Sequence, residues 1–175
     1  MVRQAGATVR VLPTDFGKVF PISGGLPLGL RAPQRQAYRL MELKRFSESL
    51  QLPLNIHPAF FPVAGDAAAR LIIAVDQFDG VEAAMRFSGA VFKAVWAEER
   101  NIADATVLAQ LLNEQGLSDD RLEPSSSAEV QQRYEANTQK AIDAAVFGAP
   151  SYVIDDEIFW GQDRLEFVAK KLAAK

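Results

Sequence analysis

The 175-residue chain contains no cysteine. That excludes a disulfide, a thiolate–metal site and a C-x-x-C redox pair, and with them disulfide exchange by this chain itself. It fits a reducing compartment. Histidine occurs once, at His57, inside a segment that carries Pro53, Pro58 and Pro62 around Phe60 and Phe61. One histidine without a neighbouring nucleophile makes neither a catalytic triad nor a metal site, so His57 reads as a structural or surface residue. No stretch reaches the roughly 18 apolar residues of a membrane span, and Met1 to Ala7 has no apolar signal core. A cytoplasmic location is the expectation. Strong charge is also absent: 19 basic against 22 acidic residues leave a net charge of −3. That balance gives no reason to expect a nucleic acid or an anionic membrane as partner. There is no internal repeat and no long low-complexity tract.

What the chain does have is material for a core. An apolar fraction of 49% supports one domain, or one with an inserted subdomain. Thr8 to Leu12 reads as a strand with β-branched content, ended by Pro13-Thr14-Asp15. Residues 17–33 hold Gly17, Gly24, Gly25, Gly29, Pro21, Pro27 and Pro33 and read as a long irregular loop. Pro33 can open a helix, continued by Ala37, Leu40, Met41, Leu43, Phe46 and Leu50. Leu52 to Val63 reads as a packed loop. Helices follow over Asp66 to Phe78, broken by Gly80, and over Val81 to Trp96, the clearest amphipathic pattern, with Val81, Ala84, Met85, Ser88, Val91, Phe92, Val95 and Trp96 on its apolar face. Glu98, Glu99 and Arg100 read as a solvated charged run. Asp104 caps a helix ending at Gly116, and Pro124-Ser125-Ser126-Ser127 reads as a short loop. Ser127 caps the next helix, whose stop signal is Gly148.

The organising stretch is Phe147 to Val168. Ser151, Tyr152, Val153 and Ile154 read as a strand, Asp155-Asp156 as a two-residue hairpin turn, and Ile158, Phe159 and Trp160 as the return strand. Gly161-Gln162-Asp163 starts a helix with the spacing Leu165, Val168, Leu172. By pattern alone, Pro150 is a trans proline opening a strand, and Asp163 is a first-turn carboxylate offsetting the helix dipole.

These residues carry a resemblance. Gly148-Ala149-Pro150, then Phe159-Trp160-Gly161-Gln162-Asp163-Arg164-Leu165, resembles the C-terminal signature of the 2-hydroxychromene-2-carboxylate isomerases. These stand with the kappa-class glutathione transferases and DsbA-like proteins. Supporting stretches are Phe16 to Phe20, Pro33 to Arg45, His57-Pro58 and Val95 to Asp104, so the likeness spans almost the whole chain. It implies an α/β, thioredoxin-like fold with a large all-α insertion: residues 1–32 and 147–175 form the thioredoxin-like part and 33–146 the insertion. It further implies a glutathione-dependent cis–trans isomerase of aromatic-compound degradation, with a small aromatic substrate and a homodimeric assembly. In the resembled family a strand and a helix precede the segment matching Thr8–Leu12, with a serine at that helix's start. Here the match begins around Arg3 to Ala7, so an N-terminally truncated version is expected, in which Thr8–Leu12 and the hairpin cannot pair through that strand.

The resemblance also implies site residues. A cis Ala149-Pro150 would turn the Ala149 backbone toward the cysteinyl part of glutathione. Asp163 would bind the γ-glutamyl ammonium, and the N–H groups of Gln162 and Asp163 its α-carboxylate. Arg35 stands where the family has a lysine facing the glycyl carboxylate, and Gly25 falls near a family asparagine. Trp160, Phe20 and Tyr38 are candidates for an aromatic wall, with core packing the plainer reading of each. No catalytic side chain and no metal ligand is assigned. The alternatives are a glutathione-binding, transferase-like module, a relative of the DsbA oxidoreductases, and a non-catalytic remnant.

Overall fold

The computed structural model describes Val2 and residues 4–174; Met1, Arg3 and Lys175 lie outside them. Arg3, which opens the stretch read as the remains of a first helix, is thus outside the described residues. Gln4 to Gly6 form a turn closed by Ala5 N–H and Ala7 N–H, both donating to the Val2 carbonyl at 3.1 and 3.2 Å.

Among the described residues eight α-helices and one hairpin follow: α1 Phe16–Ser23, α2 Pro33–Leu50, α3 Asp66–Asp79, α4 Val81–Trp96, α5 Ala105–Glu114, α6 Leu122–Ser125, α7 Ala128–Asp143, β1 Ser151–Ile154, β2 Glu157–Trp160 and α8 Leu165–Ala173. The core lies where α3 and α4 pack side by side, with α5 laid over them. Leu71, Ile72 and Val75 of α3, Ala84, Phe87, Val91 and Val95 of α4, and Leu108, Leu111 and Leu112 of α5 form one buried cluster. The α4 positions recur at three- and four-residue intervals, as one face of a helix requires. A second cluster of Ile73, Val130 and Tyr134 joins α3 to α7. The Tyr134 hydroxyl donates to Asp66 Oδ1 at 3.1 Å. Burial, then the Asp66 charge, pushes its pKa well above the ordinary tyrosine value.

Caps account for the helix starts. Asp15, Asp104 and Ser127 accept from Gly17 N–H, Thr106 N–H and Val130 N–H respectively. Four expectations are corrected. Thr8–Leu12 is not a strand: β1 and β2 form the one sheet among the described residues, so no ladder reaches it. Residues 17–33 are not a plain loop, because Asp15 starts α1 there and the fully buried Val19 seats it against α7. Asp15 N–H also donates to Thr138 Oγ1 on α7 at 3.0 Å. Pro21 falls inside α1, which ends two residues later before Gly24. Finally, α7 stops at Asp143 rather than near Gly148, and Pro124-Ser125 lie in α6 rather than a loop.

The charged run after α4 is more than a solvated face. Glu99 sits in the left-handed region (φ 55°). Its Oε1 accepts from Asn55 Nδ2 and its Oε2 from Ala59 N–H, both at 2.5 Å. Asn55 N–H donates to the Trp96 carbonyl at 2.6 Å. The 52–63 loop is thereby clamped to the end of α4, and Phe61 lies against Trp96 with ring centroids 4.6 Å apart. Arg39 of α2 covers both rings at 5.4 and 5.5 Å, and burial, then Arg31, lowers its pKa. Glu99→Ala is expected to cost about 1 kcal/mol, because the two hydrogen bonds end on a charged but exposed group. Urea unfolding with an unchanged m-value, and faster amide exchange at Ala59, would show it.

Candidate functional site

The site is built on the hairpin. Its register pairs Ser151 with Trp160, Tyr152 with Phe159, Val153 with Ile158 and Ile154 with Glu157. Asp155 and Asp156 both take positive φ (51° and 62°), the backbone of a two-residue turn matched to strand twist. Ala149–Pro150 is cis, the form that the resemblance implies and that pattern alone did not. The Pro150 carbonyl accepts from Gly161 N–H at 2.9 Å, which fixes the entry to α8 beside the start of β1. Lys171 Nζ, 2.8 Å from Glu157 Oε2, ties α8 to β2.

These bonds bring four of the five sequence-derived residues into one neighbourhood. Ala149 is exposed, and its backbone N–H and C=O make no hydrogen bond among the described residues. Gln162 and Asp163 lie in the single 3-10 turn that leads into α8. Asp163 is half exposed, and its carboxylate pairs with Arg164. Gly161 permits this arrangement twice over: its φ is 102°, and a Cβ there would lie 2.6 Å from Asp163 Oδ1. Arg35 stands apart. It lies exposed in the first turn of α2, which buries no side chain and shares no extensive packing with the hairpin among the described residues.

The aromatic candidates are not core. Trp160 is 50% and Tyr38 49% exposed, and Phe20 is partly buried. At Gly25 a Cβ would meet the Phe20 ring at 2.3 Å, so the Phe20 ring occupies the space a side chain would need. Gly148 is buried under Trp160: a Cβ would lie 2.5 Å from the indole Nε1. Trp160 in turn touches Phe147 at a ring separation of 5.0 Å. Gly148→Ala is therefore expected to push the indole off its seat at a cost of about 1 kcal/mol. A changed Trp160 emission, measured in a Trp96→Phe background, would report it; unchanged emission would mean that the ring does not rest there.

Sequence reasoning missed a cleft. About 350 Å³ lies open between α1 and the end of α7, lined by Val19, Ile22, Ser23, Ile142, Val146 and Phe147 among others. The signal was present: Asp15 as a cap, then Phe16, Val19 and Phe20 at helical spacing, masked by Pro21 and the glycines after it. A second cleft of about 240 Å³ lies between α4 and α5. Its charged lining is already engaged: Lys93 pairs with Glu98 at 2.7 Å, and Arg100 reaches Glu114 at 2.9 Å. The Lys93 ammonium, then burial in the opposite sense, sets the Glu98 carboxyl below its ordinary range. Among the described residues no group of three or more histidine or carboxylate side chains could hold a metal. No helix among them is long and apolar enough to cross a membrane.

A helical body carrying a β-hairpin and a terminal helix defines the class. Residues 1–173 match the DSBA-like thioredoxin domain, and the chain belongs to that family. Within it, the chain groups with the 2-hydroxychromene-2-carboxylate isomerases. A protein of that name from Pseudomonas putida is 31% identical over 170 residues, covering 94% of this chain and 79% of the relative. Another, from Sphingobium xenophagum, is 27% identical over 174 residues, covering 98% and 86%. A solved 2-hydroxychromene-2-carboxylate isomerase superposes with a TM-score of 0.77 at 26% identity, over 99% of this chain and 83% of that one. A putative protein disulfide isomerase from Nitrosomonas europaea, 22% identical over 77% of this chain and 65% of that one with a TM-score of 0.59, shares the fold.

Proposed function

We propose that this protein is a glutathione-dependent isomerase acting on a 2-hydroxychromene-2-carboxylate or a close relative of it. The observation that carries the reading is the match to curated isomerases along 94–98% of the chain. The hairpin is chemically suited to the tripeptide. Ala149 offers an exposed backbone N–H and C=O with no other partner, the pairing surface that an extended peptide uses on a strand edge. The turn into α8 offers free N–H groups to a carboxylate, and Asp163 offers a carboxylate to an ammonium. Pro150, through its carbonyl bond to Gly161, holds these two halves together. Arg35 is exposed and keeps the positive charge suited to a terminal carboxylate.

When bound, glutathione supplies the thiolate that adds to and leaves a conjugated carbonyl compound. The chain's own residues bind, orient and neutralise charge. In solution the proposed partner is a second copy of the chain. The two-stranded sheet offers open edges, and sedimentation would test the assembly. The functional test is a spectrophotometric assay with 2-hydroxychromene-2-carboxylate, with and without glutathione. Conversion that requires glutathione is expected. Conversion that ignores glutathione would overturn the cofactor, and no conversion in either case would overturn the activity.

A further inference from the structure

We propose that the cleft between α1 and α7 is the pocket for the substrate, and that it takes a flat aromatic carboxylate with the ring inside and the carboxylate at Lys18. The inference rests on the isomerase reading and assigns a site to its substrate. At about 350 Å³ the cleft is within the size range of small-molecule sites. Its walls come from Val19, Ile22, Ile142, Val146 and Phe147, with Ser23 as the polar exception. Such walls favour an apolar ring and offer nothing to a charge. The cleft also adjoins the hairpin. Phe147 is a wall residue, stands two positions before Ala149, and rests its ring against Trp160 at 5.0 Å. A ligand in the cleft therefore lies at the foot of the strand edge on which the thiol-bearing peptide is placed.

The charged end of the ligand needs a cation at the rim. Lys18 precedes Ile22 by four residues on α1, so the two side chains share one helix face. Lys18 is exposed and has no ion pair among the described residues. It is the basic side chain on α1.

The test is a methyl-detected NMR titration of the full chain with two probes, chromone-2-carboxylate and chromone. The expected result is saturable shifts at the methyls of Val19, Ile22, Ile142 and Val146, with chromone binding at least tenfold more weakly than its carboxylate. Lys18→Gln should remove most of that difference while the methyl shifts persist. Ile142→Trp should fill the cleft and abolish binding of both probes; if that variant does not fold, the wild-type methyl map decides. Absence of shifts at these methyls, or a Lys18→Gln variant that still prefers the carboxylate tenfold, would overturn the proposal. A separate glutathione titration, read at the amides of Ala149 and Gln162, tells the two readings apart. Its failure strikes the isomerase assignment, whereas failure of the chromone titration strikes the cleft alone.

Discussion

Phe87→Ala is expected to remove about 3–5 kcal/mol of folding stability, through the lost transfer energy of the ring and the cavity left behind. Phe87 is completely buried at the centre of the α3–α4–α5 cluster, flanked on its own helix by Ala83, Ala84 and Val91. Small neighbours on α4 let the helices approach closely, so the ring fills most of the space between them. Collapse around a truncated side chain would require whole helices to move. A domain of this kind is stable by about 5–15 kcal/mol in total, so the variant should sit near the edge of folding. The midpoint should fall by roughly 10 °C, at 2–4 °C per kcal/mol for a chain of this length. Phe92→Ala is the control. Five residues further along the same helix, Phe92 is 63% exposed, and its loss should cost less than about 0.5 kcal/mol. Equal destabilisation of the two variants in urea would mean that the core is not centred on α4.

The contrast between Phe87 and Phe92 corrects the sequence reading, which puts Phe92 and Met85 on the inward face of Val81 to Trp96 and leaves Phe87 off it, whereas Phe87 is buried and Phe92 and Met85 are exposed. Both are aromatic, and both fit a three-or-four spacing to some apolar neighbours, so the pattern alone did not separate them; packing against α3 and α5 selects the face of Ala84, Phe87, Val91 and Val95. Helix starts with a side-chain cap at Asp104 or Ser127 could be drawn to the residue, because the capping chemistry is local, whereas the end of the Ser127 helix could not. The hairpin was legible for the same reason, since Asp155-Asp156 demands a turn that few other conformations satisfy. Thr8–Leu12 was not. A β-branched run specifies an extended backbone, but a strand exists only where a partner lies alongside, and nothing local to the run encodes the partner. The clamp at Glu99 was invisible for a related reason: its two acceptor bonds reach residues 40 and 44 positions away. A charged triplet read in isolation looks solvated. At the site, the family-derived residues could be named from their motif. That Arg164 occupies the Asp163 carboxylate could not, because neighbours in sequence meet only when the turn between them takes a particular shape.

That pairing makes the Asp163 prediction quantitative. Asp163→Ala should weaken glutathione binding by about 10- to 100-fold in calorimetry, the range for losing a hydrogen bond to a charged group. The carboxylate is half exposed and already engaged by the Arg164 guanidinium, so an incoming ammonium must displace that partner. An exposed pair is worth about 0–1 kcal/mol. Freeing Asp163 with Arg164→Gln should therefore leave affinity unchanged or tighten it by up to about fivefold. Only Asp163→Ala is thus expected to weaken binding, although each substitution breaks the same ion pair. A merely structural role for the pair would move both the same way. Asp163→Asn separates charge from shape: it keeps the side-chain oxygen near the helix start but loses the anion, and should bind nearly as poorly as the alanine variant. Loss of a first-turn carboxylate also costs the helix about 0.3–1 kcal/mol. Unfolding curves for each variant would subtract that effect. If Asp163→Ala binds glutathione as tightly as the parent, the ammonium does not sit on Asp163. If Arg164→Gln is the damaging change instead, the turn at 162–164 recognises an anion through its guanidinium.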